Sequence, residues 1–352
     1  MTIDIVIAVA EQGGVENVIN DTALYLKEDG WIVRIVQLVW EGINWTSEGI
    51  LFFPLLYGRA GHNLMEFTEA YMNFLHEKGK PDIVLATAWP YMSYVAQKAV
   101  YGEKTIPVIS WLHAPVERYQ AAGYGGYESL RWADGHFAIS DYIYREIEKH
   151  NISKVVRVYN PVDFSKVNEK YIMQQDKWKK LFYVGRISEE KHIEVVINAI
   201  KLADKNWKLY IVGDGEEEYV NTLKTQASQM KLADRVFWLG WKDNPWVYAQ
   251  QADAIVLASE YEGAPLSVIE ALACGKTIIT TPINGVKELI TPGETGYLFG
   301  WNDFQMLAEI LNYLQEGILP FIDSERCRGT VEQYEKKKAL KNFQKRICEF
   351  LK

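Results

Sequence analysis

Residues 254–299, AIVLASEYEGAPLSVIEALACGKTIITTPINGVKELITPGETGYLF, leave this chain little choice of fold. AIVLA is a short apolar run whose length and branching suit a buried parallel strand. A polar turn with Gly263 and Pro265 follows, and then Leu266, Ile269, Leu272 and Ala273 recur on one helical face up to Gly275. A second buried strand, Thr277–Thr281, begins at once. A strand, turn, helix and parallel strand in succession bind ligands where the loop leaves the carboxyl end of the first strand.

Glu262 lies in the turn and Glu270 one turn into the helix, an E-x7-E spacing. The first N–H groups of that helix, near Leu266 and Ser267, have no internal partners and favour an anion. Two glutamates beside an anion repel it unless they face uncharged hydroxyls. A nucleotide sugar offers both the phosphate and the hydroxyls. Taken alone, the same spacing also describes solvated acids at a helix start, where the dipole favours them.

The residues around the pair narrow the choice. EG-x-P-L-x-x-x-E-A-L-A-x-G-K-x-I-I, then G-V-K-E-L-I and G-x-T-G-Y-L-F, resembles without a gap the donor-site signature of the family 4 retaining glycosyltransferases. The resemblance runs over roughly Leu181–Phe299 and implies a GT-B fold: α/β, with two Rossmann-like parallel-sheet domains facing a central cleft. It implies that Glu262 contacts the transferred sugar and Glu270 the nucleotide ribose, with Gly263, Ala264, Pro265 and Leu266 around the donor. V-Y-N-P-V (Val158–Val162), Y-V-G-R (Tyr183–Arg186), I-V-G-D-G (Ile211–Gly215) and G-W-x(3)-P-W (Gly240–Trp246) look closer still to bacterial lipopolysaccharide-core galactosyltransferases. The first half departs more from the pattern.

In chain order, strand Ile3–Ala10 runs into Gly13-Gly14 and a helix to about Lys27. A diglycine lets backbone approach a phosphate at a helix N-terminus, although it is also simply a turn. The resemblance places a loop facing donor and acceptor here, which marks Gly14. Trp31–Val39 is a strand. Glu41–His62 reads as irregular and aromatic, suited to contacting an acceptor, and within it Ile50–Tyr57 fits a buried strand better than a membrane-facing patch. Helix Leu64–Glu77, strand Ile83–Thr87, helix Met92–Tyr101 and strand Pro107–Leu112 follow. His113 stands at that last strand's carboxyl end, the edge where an α/β sheet keeps its site. A lone histidine is commonly structural, but the resemblance implies an active-site His at this place. Gly123–Tyr127 reads as a mobile loop, His136–Ile139 and Val155–Val158 as strands, and Ser140-Asp141 as a cap on helix Tyr142–Lys149. Ser165–Lys180 is a charged linker that fits a domain boundary.

The second half restarts with strand Lys180–Val184 and G-R-x(4)-K, in which Arg186 and Lys191 bracket a turn before a helix from about Ile193. A planar guanidinium and a point-charge ammonium suit a diphosphate, and a solvated basic turn has the same composition. In the family this placement, starting at Gly185, is the diphosphate clamp. Trp207–Val212 and Arg235–Leu239 are further strands, and their alternation with helices means a parallel sheet. Gly317–Thr330 reads as irregular and Tyr334–Leu351 as a basic amphipathic helix. The expected division is 1–162 for an acceptor domain, 163–333 for a nucleotide-sugar domain, and 334–352 as a helix crossing back onto the first.

A net charge of −8 argues against nucleic-acid binding. Cys274, Cys327 and Cys348 show no metal spacing and cannot all pair, which suits a reducing cytoplasm. The first residues lack a basic n-region and so read as a strand instead of a signal peptide. No apolar run approaches the ~20 residues that span a bilayer. There is no D-x-D, the usual acidic metal anchor for a nucleotide sugar, so neither metal nor cofactor is expected. Arg186, Lys191 and helix N-termini would carry the leaving diphosphate instead, and Glu262, His113, Arg186 and Lys191 form the expected catalytic set. The expected activity is retaining transfer of a hexose, galactose or glucose favoured, from a UDP-sugar to a saccharide or lipid-linked glycan in cell-surface polysaccharide synthesis. The setting is cytoplasmic, with the inner face of the plasma membrane and peripheral association with it left open. A nucleotide-sugar epimerase and a non-catalytic partner subunit of a glycosylation complex are the alternatives. The epimerase would lack the EG-x-P-L…E signature, and a subunit without chemistry would not need Arg186, Lys191, Glu262 and Glu270 together.

Overall fold

The computed structural model describes residues 1–10, 13–58, 63–102, 105–168, 177–260 and 265–351. The chain divides into two compact units, one of Met1–Pro161 with Lys336–Lys352 and one of Val162–Glu335.

The first unit runs β1 (Thr2–Ile7), α1 (Gly14–Glu28), β2 (Ile32–Trp40), β3 (Leu51–Tyr57), α2 (Leu64–Lys78), β4 (Ile83–Thr87), α3 (Tyr91–Val100), β5 (Val108–Leu112), α4 (Val116–Ala121), α5 (Tyr127–Leu130), β6 (Gly135–Ala138), α6 (Asp141–Lys149) and β7 (Lys154–Arg157). Its sheet has the order β3-β2-β1-β4-β5-β6-β7, and every pairing is parallel. β4 and β5 are buried along their whole length, as their unbroken apolar runs require of strands covered on both faces. The strand expected at Ile50–Tyr57 is present as β3, but it is an edge strand with Leu51 and Tyr57 exposed, not a buried one. Pro54 pairs in register with Gln37, and only an edge position tolerates its missing N–H. Residues 123–127, expected as a mobile loop, form a turn whose Tyr124 carbonyl accepts from Tyr91 N–H at 3.2 Å, and Tyr127 already opens α5.

One charged pair is built into this core. Asp4 of β1 takes Nε and Nη2 of Arg34 on β2 at 2.5 and 2.9 Å, and the Tyr71 hydroxyl at 2.7 Å. Arg34 Nη1 closes on the carbonyls of Lys78 and Gly79 at the end of α2, both at 3.0 Å. Burial pushes the Asp4 carboxyl up from its ordinary range, against the pull of Arg34 and Tyr71.

The second unit runs β8 (Lys179–Val184), α7 (Ile193–Leu202), β9 (Trp207–Val212), α8 (Glu217–Gln229), β10 (Val236–Gly240), α9 (Trp246–Ala249), β11 (Ala254–Leu257), α10 (Leu266–Ala273), β12 (Thr277–Thr280), β13 (Gly296–Leu298), α11 (Phe304–Glu316) and α12 (Ser324–Thr330). Its sheet order is β10-β9-β8-β11-β12-β13, again wholly parallel. α12 corrects the irregular reading of 317–330. Its sequence has no apolar period, and the helix rests on the Asp323 side chain, which accepts from Glu325 and Arg326 N–H at 3.0 Å each.

The chain enters and leaves this unit side by side: Val162 bridges Glu335 and donates its N–H to the Tyr334 carbonyl at 2.8 Å. α13 (Lys336–Cys348) then belongs to the first unit. It starts two residues later than expected, because Tyr334 lies in a 3-10 turn. Ala339, Leu340, Phe343 and Ile347 are its buried face, with the Phe343 ring 4.6 Å from Trp111 and 5.0 Å from Phe137. Lys336 pairs with Asp21 of α1 at 2.7 Å.

Candidate active site

Each sheet has one place where neighbouring strands send their connections in opposite directions, β1/β4 in the first unit and β8/β11 in the second. Outside the carboxyl ends of such a pair lies the crevice in which open α/β sheets bind ligands.

In the second unit the turn after β8 is set by backbone contact. Gly185 N–H donates to the Val212 carbonyl at 3.1 Å, and Ile187 N–H to that of Asp214 at 2.8 Å. A Cβ on Gly213 would stand 1.8 Å from the Gly185 carbonyl oxygen, and one on Gly215 1.8 Å from that of Ile187. Only glycine permits so close an approach. The Tyr183 hydroxyl donates to the Arg186 carbonyl and completes the turn.

That frame presents Arg186, whose side chain is 70% exposed and 3.2 Å from Glu190. An exposed pair of this kind contributes little, so the guanidinium remains available to an anionic ligand. Burial raises the Glu190 carboxyl, but the Ser188 hydroxyl at 2.6 Å, its own backbone N–H, Arg186 and Lys191 together lower it below its ordinary value. Lys191 ends a 3-10 turn over Glu189–Lys191. The segment leaving β11 reaches this turn, since Glu260 N–H donates to the Glu190 carbonyl at 3.0 Å.

α10 starts at Leu266 with Pro265 as its N-cap, and Val268 N–H makes the first intrahelical bond, to the Pro265 carbonyl at 3.0 Å. Glu270 is half-buried one turn in. Burial pushes its carboxyl up to about 7, although the Trp246 indole hydrogen bond and the Lys166 charge draw it the other way. Trp246 opens α9, and Lys166 lies in a 3-10 turn tied to that helix by Asn244, which donates to the Lys166 carbonyl at 3.1 Å. A carboxylate near its midpoint at pH 7, with a fixed donor beside it, can accept from ligand hydroxyls.

The first unit holds Gly14 and His113. Gly13 caps α1 and Gly14 is its first residue, at the β1/β4 switch point. His113 follows β5, is 8% exposed and stands with Nε2 3.0 Å from the Thr87 hydroxyl at the end of β4. Burial lowers its pKa to about 3, so the imidazole is neutral at physiological pH. Beyond Thr87 the chain turns through Ala88 at φ 66°, and Trp89 stacks flat on Tyr124 at 4.1 Å.

The structure therefore gathers Gly185, Arg186 and Lys191 beside Glu260 at one switch point, and carries Pro265, Leu266 and Glu270 on α10. Glu262, Gly263 and Ala264 lie outside the described residues. Sequence reasoning missed Trp246, Lys166, Thr87 and the Trp89–Tyr124 stack; only Trp246 carried a signal, as the last residue of G-W-x(3)-P-W. Among the described residues no group of three or more His, Cys, Asp or Glu could hold a metal ion, and no helix is long and apolar enough to cross a membrane.

The pattern of "Glycosyltransferase Family 4" matches residues 12–166, and that of "Glycosyl transferases group 1" matches residues 165–317. The lipopolysaccharide 1,6-galactosyltransferase of Escherichia coli K12 is 24% identical over 355 residues, covering 93% of this chain and 92% of that protein. The N-acetyl-alpha-D-glucosaminyl L-malate synthase of Bacillus anthracis is 30% identical over 53% of this chain and 50% of its own. Among solved structures, the apo lipopolysaccharide outer core galactosyltransferase WaaB superposes with a TM-score of 0.81 at 23% identity, covering 99% of both chains. Anabaena Alr3699/HepE in complex with UDP-glucose does so with 0.74 at 18% identity, covering 99% of this chain and 100% of its own. These likenesses carry the GT-B fold of two Rossmann-like parallel-sheet halves.

Proposed function

Since the chain belongs to the family 4 retaining glycosyltransferases, we propose that it transfers a hexose, galactose or glucose, from a UDP-sugar to a saccharide or lipid-linked glycan in cell-surface polysaccharide synthesis. The observation that carries this reading is the cationic turn Arg186–Lys191 at the β8/β11 switch point, with Glu270 on the next helix of that edge. The turn takes the diphosphate, Glu270 the ribose hydroxyls and Glu262 the hexose. The acceptor binds the first unit, where neutral His113 hydrogen-bonds the sugar.

In the reaction an acceptor hydroxyl attacks the anomeric carbon from the face the diphosphate is leaving. The carbon–oxygen bond to phosphate breaks, the new glycosidic bond forms on that face, and the hydroxyl proton passes to the departing phosphate oxygen. UDP leaves and configuration is retained. Arg186, Lys191 and backbone dipoles stabilise the developing charge without a metal. Work in the cytoplasm suits three cysteines that are all free.

The test is a calorimetric screen of UDP- and GDP-sugars, followed by donor turnover with lipid-linked and free glycan acceptors. UDP-galactose or UDP-glucose should bind and turn over with an α-linked product. Tight binding of GDP-sugars alone, or a β-linked product by NMR coupling constants, would overturn the reading.

A further inference from the structure

His192 is a joint between the cationic turn and its surroundings, and it holds a conformation that histidine adopts at a cost. Its φ and ψ are 47° and 48°, in the left-handed region where a Cβ crowds the backbone and glycine is at ease. It closes the 3-10 turn that ends in Lys191 and caps α7 in the same residue. A joint needed only for direction would be served best by glycine. The ring explains what stands there instead.

Three elements converge on that ring. Nδ1 lies 2.9 Å from a carboxylate oxygen of Glu194 on α7, whose other oxygen accepts from the Tyr219 hydroxyl at 3.0 Å. The ring meets Trp301, after β13, edge to face at 5.7 Å. Among the described residues Nε2 is buried without a hydrogen-bond partner, 3.8 Å from a carboxylate oxygen of Glu260, after β11. Glu260 is in turn tied by its N–H to Glu190 in the cationic turn. Both groups facing the ring nitrogens are carboxylates, and a neutral imidazole has one N–H to offer them, so with Nδ1–H on Glu194 the contact to Glu260 closes as a charge-assisted hydrogen bond when Nε2 carries a proton as well.

We propose that His192 is a positioning residue of the donor site: fixed on Glu194 and Trp301, it holds Lys191 in place and engages Glu260 when the donor diphosphate binds. This rests on the diphosphate reading of Arg186 and Lys191. The coupling joins the backbone of the cation to the segment that continues, two residues on, to Glu262. A small loss of register at such a joint is transmitted to the groups that grip the ligand.

His192→Gly tests this because it relieves the backbone while deleting the ring, so the fold has no reason to fail. His192→Asn, which tolerates the left-handed region and can still reach toward Glu194, gives a partial rescue. UDP affinity by calorimetry, kcat and KM for UDP-hexose turnover, and melting temperature are measured for both, and for Glu260→Gln alone and combined with His192→Gly. Expected are a melting temperature within a few degrees of wild type, UDP affinity about tenfold weaker in His192→Gly, an intermediate value in His192→Asn, and no further loss when Glu260→Gln is added. Wild-type affinity and turnover in His192→Gly, or independent addition of the two losses, would overturn the role of His192. Failure of the wild-type protein itself to bind UDP would overturn the donor-site reading beneath it.

Discussion

The Trp246 indole donates to the Glu270 carboxylate, and the two side chains come from different helices, α9 and α10. Burial outweighs that bond and holds Glu270 at about 7, far above its ordinary 4.5. If ribose hydroxyls donate to the ionised carboxylate, uridine should bind more tightly as pH rises through 7 and level off above it. Uridine is the better probe because it carries no titrating phosphate. Calorimetry between pH 5.5 and 8.5 checks the slope. Glu270→Gln should flatten it, and Trp246→Phe should move it to higher pH.

Arg186→Ala and Lys191→Ala should each lower kcat about a hundredfold, the ~3 kcal/mol typical of one lost transition-state contact to a charge. Excess EDTA should leave wild-type turnover unchanged. Activity lost to chelation and restored by Mn²⁺ would contradict both the metal independence and the role of these cations.

His113→Ala should keep UDP affinity, lose most transfer and leave the product α-linked. Its partner is separable: Thr87→Val removes the hydroxyl 3.0 Å from Nε2 and should lower kcat by a smaller factor with UDP affinity intact. Single-turnover assays with calorimetry distinguish these outcomes. Wild-type transfer by His113→Ala would remove it from the site.

Buried histidines also set how the first unit responds to acid. Burial lowers His113 to about 3 and His136, held between Ser110 and Ser153, to about 4. Below the ordinary 6.5 the unfolded chain takes up protons that the native chain refuses, so stability falls as pH drops from 6.5 toward 4. Each histidine contributes roughly 1.4 kcal/mol per pH unit. Glu270 has the opposite sign, weakening the native state as pH rises from 4.5 through 7. Glu270 sits in the second unit, so that unit's denaturant midpoint should fall with rising pH through this window in wild type and lose the dependence in Glu270→Gln.

Asp4→Asn leaves Arg34 buried without its carboxylate and should destabilise the protein by about 3–5 kcal/mol. Asp4 lies toward the amino end of β1, so uridine affinity should be unchanged in whatever fraction folds. Urea unfolding and calorimetry on the same sample check both halves.

What the sequence disclosed and what it withheld follow from the range of the forces involved. Runs such as Val108–Leu112 and Ala254–Leu257 read directly as buried parallel strands, because burial on both faces is written into consecutive residues. The placement of Gly185, Arg186 and Lys191 in the one turn after β8 is legible for the same reason, being local. The Trp246 bond to Glu270 joins residues of two helices, and no local pattern predicts it. β3 misleads because its apolar run suggests burial while its edge position leaves much of it in water. α12 misleads in reverse, as a helix held by its Asp323 cap more than by any apolar face. His192 escaped notice because its left-handed turn is invisible in composition.

α13 has one more consequence, for the order in which the molecule is made. The ribosome emits all of Val162–Glu335 before it supplies Phe343 and Ile347 to the first unit. Until then the rings of Trp111 and Phe137 lack the aromatic neighbour that α13 provides. The second unit can close on itself while the first waits with an unfinished core. A nascent chain halted just before Lys336 should therefore yield a protease-resistant second unit attached to a first unit that is still readily cut.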